Sequence, residues 1–323
     1  MSSFLAEASS RSVASASKRR LKRPVHGILL LDKPTGISSN RALQVARRAL
    51  GATKGGHTGN LDVAASGLLP LCFGEATKVC GFLLEADKRY QATVRLGVTT
   101  ASGDAEGEVL SRSDNLPGSR ALVEDALTTL RGPQMQIPPM YSALKRDGQP
   151  LYKLARQGIE VERQARPVVI NRLDMLALEG ETVVLDVSCS KGTYIRSLAV
   201  SLGEILGCGA SLSGLRRLEA GPYDITHAHS LDLFEGERYP PEVLEELLLP
   251  IDSALQSFPQ TCLDAEGKQR VCQGQVLHLG TSDRVVGLIR LYGPDGEFLG
   301  MGEGDGAGQV QPRRLMATVK DPD

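Results

Sequence analysis

Long apolar runs are missing from this sequence, although 41% of its 323 residues are hydrophobic. A helix that crosses a bilayer needs about 20 consecutive apolar residues, and no stretch of the chain approaches that length. The six cysteines form no C-x-x-C pair and show no zinc-ligand spacing, which predicts reduced, buried thiols and no metal site. A chain of this length can bury a substantial core. We therefore expect a cytoplasmic protein of more than one domain, with no membrane partner.

Three common nucleotide and hydrolase motifs are also missing. The sequence contains no G-x-x-x-x-G-K-[ST] phosphate loop and no G-x-G-x-x-G turn between a strand and a helix. It contains no G-x-S-x-G nucleophile elbow either. The chain gives no sign of ATP, NAD or serine-hydrolase chemistry, and no cofactor is expected.

The basic excess that many RNA-binding proteins carry is missing as well, because the formal net charge is −1. The charge is uneven, however: residues 1–23 hold six lysines and arginines against one acidic residue, Glu7. A phosphate backbone responds to local basic surface and not to the total charge. The segment is rich in serine and alanine, and this composition favours its interpretation as a disordered basic tail that touches RNA phosphates. A mitochondrial transit peptide, with the matrix as the location, stays open as the alternative.

Amphipathic segments predict several helices. Candidate N-caps at residues 38–40 precede a segment with helical periodicity through Leu50, and Gly51 is a natural helix stop. Further helices are predicted at residues 75–85, 119–130 and 193–206.

Short apolar or alternating segments predict strands between these helices, at residues 27–31, 68–73 and 90–96. Pro133, Pro138 and Pro139 predict a loop over residues 131–143, since proline interrupts regular structure. Strands and helices interleave without the regular spacing of a doubly wound sheet. The predicted fold class is therefore mixed α+β.

The region after Pro250 changes character and becomes rich in glycine and in strand-like segments. Residues 285–292 and 298–301, joined by a Pro-Asp-Gly turn, predict a hairpin, and a last strand is expected near Val310. We predict a catalytic domain over residues 24–250 and a small β domain over residues 251–317. These are flanked by the basic tail, 1–23, and by a short tail, 318–323.

The loop at residues 55–67, GGHTGNLDVAASG, is the most informative stretch of the chain. Its glycines permit backbone conformations closed to other residues and let a ligand approach closely. Asp62 is its single carboxylate, and its apolar neighbours would raise the pKa of that group unless a cation compensates. From composition alone, an aspartate that caps a turn is the commoner explanation. His57 has no cysteine or histidine at a ligand spacing, so it is either a hydrogen-bond donor at a site or a residue that fixes the loop.

The segment G-H-T-G-N-L-D at residues 56–62 resembles the catalytic G-H-x-G-x-L-D motif of pseudouridine synthases, and more narrowly that of the TruB family, the bacterial tRNA pseudouridine-55 synthases. Four further blocks match that family in order and spacing. They are LLLDKP with SSN at residues 29–40, GEATK with DKRY at 74–90, PPMYSALK at 138–145, and SKGTYIR with LRRL at 190–218. The resemblance covers nearly all of the chain after Val25. It implies a pseudouridine synthase fold with a mixed, largely antiparallel sheet and a small C-terminal PUA-like β domain that binds RNA.

The resemblance also implies a reaction, the conversion of uridine 55 in the T-arm loop of tRNA to pseudouridine. The nucleotide must flip into a pocket, because a stacked base cannot be turned over. The C1′–N1 bond then breaks, the base turns, and it rejoins the ribose through C5. Asp62 would act at the ribose, either as a nucleophile or as a base. Neither a cofactor nor a metal nor a guide RNA is implied, and a monomer is expected.

The same resemblance implies roles for six other residues. Arg196 would pair with Asp62 and hold it ionised, and Tyr90 would stack on the flipped base and help to remove the C5 proton. Tyr194 and Leu215 would line the pocket, His57 would support the flipped RNA loop, and Lys33 would serve structure or a phosphate contact. Taken singly, each could also be an ordinary packing or surface residue.

The sequence departs from the family directly after Asp62. Val63 stands where the family usually has proline, and Ala64 where leucine is common. Proline would fix φ near −65°, so valine predicts a looser loop. Two alternatives stay open: a non-catalytic RNA-binding protein that reuses the fold, and a guide-RNA-dependent synthase of the dyskerin type. The intact set of Asp62, Tyr90 and Arg196 argues against the first, and the T-arm-binding blocks argue against the second.

Overall fold

A computed structural model describes residues 22–146, 148–236, 238–278 and 285–317. The predictions for the basic tail up to residue 21 and for residues 318–323 lie outside these described residues. Within them, no helix is both long and apolar enough to cross a membrane.

The described residues form strands and helices that we number in chain order. The strands are β1 (Gly27–Lys33), β2 (Gly55–His57), β3 (Ser66–Phe73), β4 (Lys88–Leu96), β5 (Val98–Thr100), β6 (Val109–Arg112), β7 (Gly132–Gln136), β8 (Lys145–Arg146), β9 (Gln149–Pro150), β10 (Arg166–Glu179), β11 (Thr182–Cys189), β12 (Ala210–Ala220), β13 (Tyr223–Asp224), β14 (His229–Ser230), β15 (Gln260–Cys262), β16 (Leu277–His278), β17 (Val286–Tyr292), β18 (Phe298–Asp305) and β19 (Gln309–Leu315). The α-helices are α1 (Ser39–Ala49), α2 (Cys80–Glu85), α3 (Arg120–Thr129), α4 (Leu151–Arg156), α5 (Ile195–Leu206), α6 (Pro241–Glu245) and α7 (Ala265–Cys272). Short 3-10 helices cover Gly74–Lys78, Ile225–His227, Leu231–Phe234 and Ile251–Leu255.

The main sheet has the strand order β14-β1-β3-β12-β4-β11-β10-β7, with β2 paired to β3 and β13 paired to β12. The pairs β1–β14 and β3–β12 are parallel, and the other pairs of this sheet are antiparallel. The expected mixed, largely antiparallel sheet is thereby confirmed.

Residues 27–31 of strand β1 are all apolar because this part of the strand is covered on both faces. Ile28 and Leu30 point into one hydrophobic cluster, and Leu29 and Leu31 point into another. A strand buried on one face only would alternate between apolar and polar residues. The short apolar run in the sequence therefore follows from the position of β1 inside the sheet.

Helix α1 forms where the sequence predicts it. The Ser38 hydroxyl accepts a hydrogen bond from the Arg41 N–H, which satisfies a free donor of the first turn. The helix buries one face, at positions 39, 42, 43, 46 and 49, against β1 and β3. Gly51, with φ +67°, follows the helix end in a conformation that favours glycine.

Two sequence-based predictions differ from the structure. The predicted loop at residues 131–143 is wrong in part, because β7 forms the edge of the main sheet and tolerates Pro133, whose missing N–H needs no partner there. The single helix predicted at residues 75–85 is split into the 3-10 turn Gly74–Lys78 and α2. In that turn the Thr77 hydroxyl donates to the Gly74 carbonyl three residues back, a bond that competes with a regular helix.

The C-terminal residues form a second sheet with the order β15-β17-β18-β19-β16. It has its own core, which includes Val271, Leu291 and Val310. Met301 and Met316, however, are buried in a cluster with Ile28 of the main sheet. The small C-terminal β domain is present and packs directly against the catalytic part, while the boundary at residue 251 stays a prediction.

Candidate active site

The loop that carries Asp62 is tied to two elements upstream of it. The buried Ser39 hydroxyl accepts the Leu61 N–H at 2.8 Å and donates to the Leu61 carbonyl at 3.0 Å. The Val63 carbonyl accepts the Gly36 N–H at 2.8 Å, and the Asp62 carbonyl accepts the Ala65 N–H at 3.1 Å. The backbone on both sides of Asp62 is therefore fixed, although valine follows it.

Arg196, in the first turn of α5, reaches Asp62 and is almost completely buried. Its Nη2 lies 3.1 Å from Asp62 Oδ2, and its Nη1 lies 3.5 Å from Asp104 Oδ2. The guanidinium also donates to the Tyr141 carbonyl at 2.7 Å and to the Ser102 carbonyl at 3.3 Å. Four acceptors thus hold the cation in one orientation.

The Asp62 carboxylate faces solvent on one side, since its side chain is 43% exposed. Burial of the other side raises the pKa of Asp62, the Arg196 guanidinium lowers it, and the Asp104 carboxylate raises it again. Lys33 lowers the pKa of Asp62 slightly. The site holds a carboxylate that is open to a ligand and matched by a fixed cation.

Two tyrosines lie near this pair, and a leucine shares the hydrophobic surroundings of one of them. Tyr90, on β4, and Leu215, on β12, each contact both large hydrophobic clusters of the main sheet. Burial raises the pKa of Tyr90, and the Arg217 charge acts in the opposite direction. Tyr194 precedes α5; burial raises the pKa of its phenol, and the Asp62 charge acts in the same direction. Both phenols therefore lie within electrostatic reach of Asp62.

Lys33 and His57 lie behind the site. Lys33 is completely buried, and its ammonium donates to the carbonyls of Pro34 and Ile37, both at 2.8 Å. Burial lowers the pKa of Lys33 to about 8. This geometry favours the structural role over the phosphate contact that the sequence left open. His57 ends β2 and is half-buried, and that burial lowers its pKa.

Sequence reasoning missed Asp104 and Arg217. Asp104 lies in a polar connection whose composition resembles any surface turn, and only its contact with Arg196 reveals it. Arg217 left a signal that could have been used. It follows Arg216 in the LRRL block, and since successive residues of a strand face opposite sides, one of the two points inward once this block forms a strand.

The arrangement of Asp62 and Arg196 supports the chemistry of a carboxylate paired with a cation. Among the described residues, no group of histidine, cysteine, aspartate and glutamate side chains is placed to hold a metal ion. An ionised carboxylate beside a cation can attack an electrophilic carbon or remove a proton. The phenols and apolar side chains around it offer surfaces on which a planar ring can stack.

Comparison with protein families assigns residues 47–256 and 259–316 to one family. Three family models match, in chain order: "TruB family pseudouridylate synthase (N terminal domain)" over residues 47–195, "tRNA pseudouridylate synthase B C-terminal domain" over 196–256, and "Pseudouridine synthase II TruB, C-terminal" over 259–316.

Curated relatives are similar over almost their full length. A "tRNA pseudouridine synthase B" of Aromatoleum aromaticum is 50% identical over 306 residues, which covers 95% of this chain and 97% of the relative. The protein of the same name from Pseudomonas aeruginosa is 48% identical over 303 residues, which covers 93% and 99%.

Solved structures share the fold at lower identity. A chain of an H/ACA ribonucleoprotein bound to a substrate RNA superposes with a TM-score of 0.69 at 20% identity, covering 96% of both chains. A chain of the archaeal box H/ACA Nop10–Cbf5 complex gives 0.66 at 20% identity and covers 94% of both. Fold and family models together define an enzyme of the pseudouridine synthase class. Within that class, the chain belongs to the TruB family.

Proposed function

We propose that this enzyme converts uridine 55 in the T-arm loop of tRNA to pseudouridine. The observation that carries the proposal is the contact of Arg196 Nη2 on α5 with Asp62 Oδ2, at 3.1 Å. The loop that holds Asp62 is tied on both sides of this residue. It lies in the motif that resembles the catalytic motif of the family, and relatives that are half identical are named for action on tRNA. The uridine position follows from the resemblance of the T-arm-binding blocks.

The proposed reaction begins when the target nucleotide leaves its stack and enters the pocket beside Asp62. The C1′–N1 bond breaks, and uracil departs with the bonding electron pair. Ionised Asp62 either attacks C1′ or removes a ribose proton to compensate. The base turns and C5 bonds to C1′; in the first route this breaks the Asp62–C1′ bond, and in the second Asp62 returns the proton to the ribose. The C5 proton then leaves, and N1 takes up a proton. Atoms and charge balance without a cofactor, since the product is an isomer of the substrate.

The other residues of the site would hold and shield the base. Tyr90 would stack on the uracil ring and help to remove the C5 proton, while Tyr194 and Leu215 would line the pocket. Arg196 would keep Asp62 ionised and oriented, and His57 would support the opened RNA loop. We further propose that the C-terminal sheet grips RNA outside this loop, and that the enzyme works as a cytoplasmic monomer on bare tRNA.

The first test is Asp62→Asn, assayed on a T-arm stem-loop with excess enzyme. We expect pseudouridine formation to be lost and the Kd for RNA to be unchanged. The variant should not unfold earlier than the parent. Burial raises the pKa of Asp62, so the ionised carboxylate opposes folding at neutral pH. Arg196 also keeps Asp104 and two carbonyls as partners.

Asp125→Asn, on the exposed face of α3, is the matched control and should keep full activity. Activity retained by Asp62→Asn would refute the role of this carboxylate. Nucleotide-resolution mapping of pseudouridine in tRNA treated with the isolated chain tests the position. Modification at position 55 is expected, and modification elsewhere would refute the specificity. No modification at all would favour a non-catalytic RNA-binding protein or a guide-RNA-dependent synthase.

A further inference from the structure

Arg217 is among the largest completely buried side chains of the described residues, with 1% of its surface exposed. It lies on β12, between two strands of the site. On one side it is paired with Gly67 of β3, next to the loop that carries Asp62, and on the other with Tyr90 of β4. The backbone thus places this arginine at the centre of the site.

The surroundings of Arg217 do not compensate its charge. Its Nε donates to the Leu68 carbonyl at 2.6 Å, but its Nη2 is buried without a hydrogen-bond partner. Within the described ranges, no carboxylate oxygen lies within the 4.0 Å of an ion pair, whereas Arg196 has two such partners. Its positive charge contributes to lowering the pKa of two buried lysines, Lys33 and Lys88, although burial is the larger cause.

A buried cation without a counter-charge opposes folding. A well-packed apolar side chain of similar volume would be tolerated better at this position. Fold stability therefore gives no account of Arg217, and such groups cluster where a site needs them.

Two parts of the site meet the guanidinium. A Cβ added to Gly59 would lie 3.5 Å from Nη1, so the guanidinium lies directly behind the turn that leads to Asp62. Tyr90 is the register partner of Arg217 on the neighbouring strand β4, and the Arg217 charge opposes the effect of burial on the pKa of the Tyr90 phenol. The other groups that act on Tyr90 are Cys189 of β11 and Asp62.

We propose that Arg217 is a positioning residue of the reaction, which holds the Tyr90 hydroxyl and the Gly59 turn in fixed relation to Asp62. The inference rests on the proposed function, since it gives Tyr90 a part in the chemistry. Without such a partner, the hydroxyl proton of Tyr90 would be free to turn about the C–O bond. The planar fork of an arginine can bond a backbone carbonyl and a phenol at once, which the single ammonium of lysine cannot do in the same geometry.

The test compares Arg217→Lys and Arg217→Met with the same changes at Arg290. Arg290 is a matched control because it is also buried, its Nε donates to the Phe258 carbonyl, and its Nη1 bonds the Tyr292 hydroxyl at 3.0 Å. It belongs to the C-terminal sheet and not to the catalytic site. Single-turnover rates with excess enzyme, the Kd for a T-arm stem-loop and the melting temperature are measured for all four variants.

We expect Arg217→Lys to lower the single-turnover rate at least about tenfold with unchanged Kd and melting temperature. Arg217→Met should lower the rate further. The Arg290 variants should leave the single-turnover rate unchanged, although their Kd and melting temperature are free to change. In a Tyr90→Phe background, Arg217→Lys should lower the single-turnover rate little further, because the hydroxyl that Arg217 holds is already absent. If that background is too slow to measure, the comparison with Arg290→Lys decides alone.

The proposal is overturned if Arg217→Lys keeps the parental rate, if its loss appears in Kd, or if the loss follows the melting temperature as at Arg290. A full additional loss in the Tyr90→Phe background would also overturn it. Asp62→Asn separates this failure from that of the proposed function. If Asp62→Asn is inactive while the Arg217 variants are normal, only the positioning role is lost.

Discussion

Neighbouring groups shift the pKa of the Asp62 carboxylate in opposite directions. Burial and the neighbouring Asp104 raise its pKa, and Arg196 and Lys33 lower it. Arg196 is the larger of the two stabilising influences, and its guanidinium is fixed by carbonyls as well as by carboxylates. The ionisation of Asp62 and its orientation therefore depend on one side chain.

Replacement of this side chain should change the pH dependence of the enzyme. In Arg196→Gln the cation is gone, so the pKa of Asp62 rises further and the acid limb of the rate moves to higher pH. Below that pKa the ionised fraction falls about tenfold per pH unit, so the deficit should grow as the pH is lowered from 8 through the raised pKa. Lost orientation should cost about a hundredfold even at pH 8. Single-turnover rates across this pH range are the measurement.

Arg95→Gln provides the control, because Arg95 forms a half-exposed pair with Glu181 at 2.7 Å, on the sheet but outside the site. Its pH profile should match that of the parent. An equal deficit of Arg196→Gln at every pH would mean that Arg196 orients Asp62 without affecting its ionisation.

Single residues also show how far the sequence alone predicts the site. Asp62, Tyr90 and Arg196 were found because each lies in a contiguous motif, and motifs are local. Asp104 was missed because its meaning comes from a contact with Arg196, which is 92 positions away and on another element. Electrostatic partners of this kind are set by the fold and leave no pattern along the chain.

At the scale of elements, the loop of residues 55–67 is held by what precedes it. Gly36 in the turn after β1 and Ser39 at the start of α1 bond the residues on either side of Asp62. The N-terminal motif and the catalytic motif are thus two halves of one structural unit. This explains why residues without catalytic chemistry belong to the family's pattern.

The loop also provides a test of the departure at Val63. Among the described residues the Val63 N–H has no hydrogen-bond partner, whereas its carbonyl accepts the Gly36 N–H, and Val63 is 42% exposed. Val63→Pro should therefore be tolerated and should raise the free energy of unfolding by about 0.4–1 kcal/mol, because proline restricts the unfolded chain. Chemical denaturation measures this change, and the single-turnover rate should not fall.

The matched control is Val169→Pro, at an exposed position of β10 where the backbone N–H donates to the Ser190 hydroxyl at 2.9 Å. It should destabilise the protein. Destabilisation by Val63→Pro as well would show that the loop needs a φ that proline cannot adopt.

Elements with a strong local signal were predicted well from the sequence. β1 has a continuous apolar run, and α1 has a cap, a buried face and a glycine stop, so both formed at the expected residues. β7 was missed because its strand character comes from pairing with β10, and a proline is acceptable only at the sheet edge that this pairing creates. Sheet order and register were likewise outside the reach of local patterns.

At the scale of the whole molecule, two sheets share one hydrophobic cluster. Met301 and Met316 of the C-terminal residues pack with Ile28 of β1, and the Lys78 ammonium donates to the Leu315 carbonyl at 2.7 Å. The change in composition after Pro250 indicated a second β unit but not its attachment. Because β1 is also the strand that leads into the Gly36 turn, the second sheet supports the element on which the catalytic loop rests.

The whole chain has a formal net charge of −1, whereas its N-terminal segment is basic. The contribution of this segment to RNA affinity can therefore be tested by the salt dependence of Kd. Residues 1–21 carry Arg11, Lys18, Arg19 and Arg20 against Glu7. If they touch phosphates, their removal should reduce the slope of log Kd against log salt by about two to three, since each neutralised phosphate releases counterions. The single-turnover rate with excess enzyme should stay the same, because phosphate contacts outside the modified loop act on binding and not on the chemical step.

Removal of residues 318–323 is the matched control, since this segment also lies outside the described residues and holds one lysine against two aspartates. Its loss should leave the salt slope unchanged. If removal of residues 1–21 leaves the slope unchanged as well, the segment does not bind RNA and the transit-peptide alternative gains weight. A rate that falls with the slope would place the segment's contacts at the modified loop, since distant phosphate contacts act on binding and not on the chemical step.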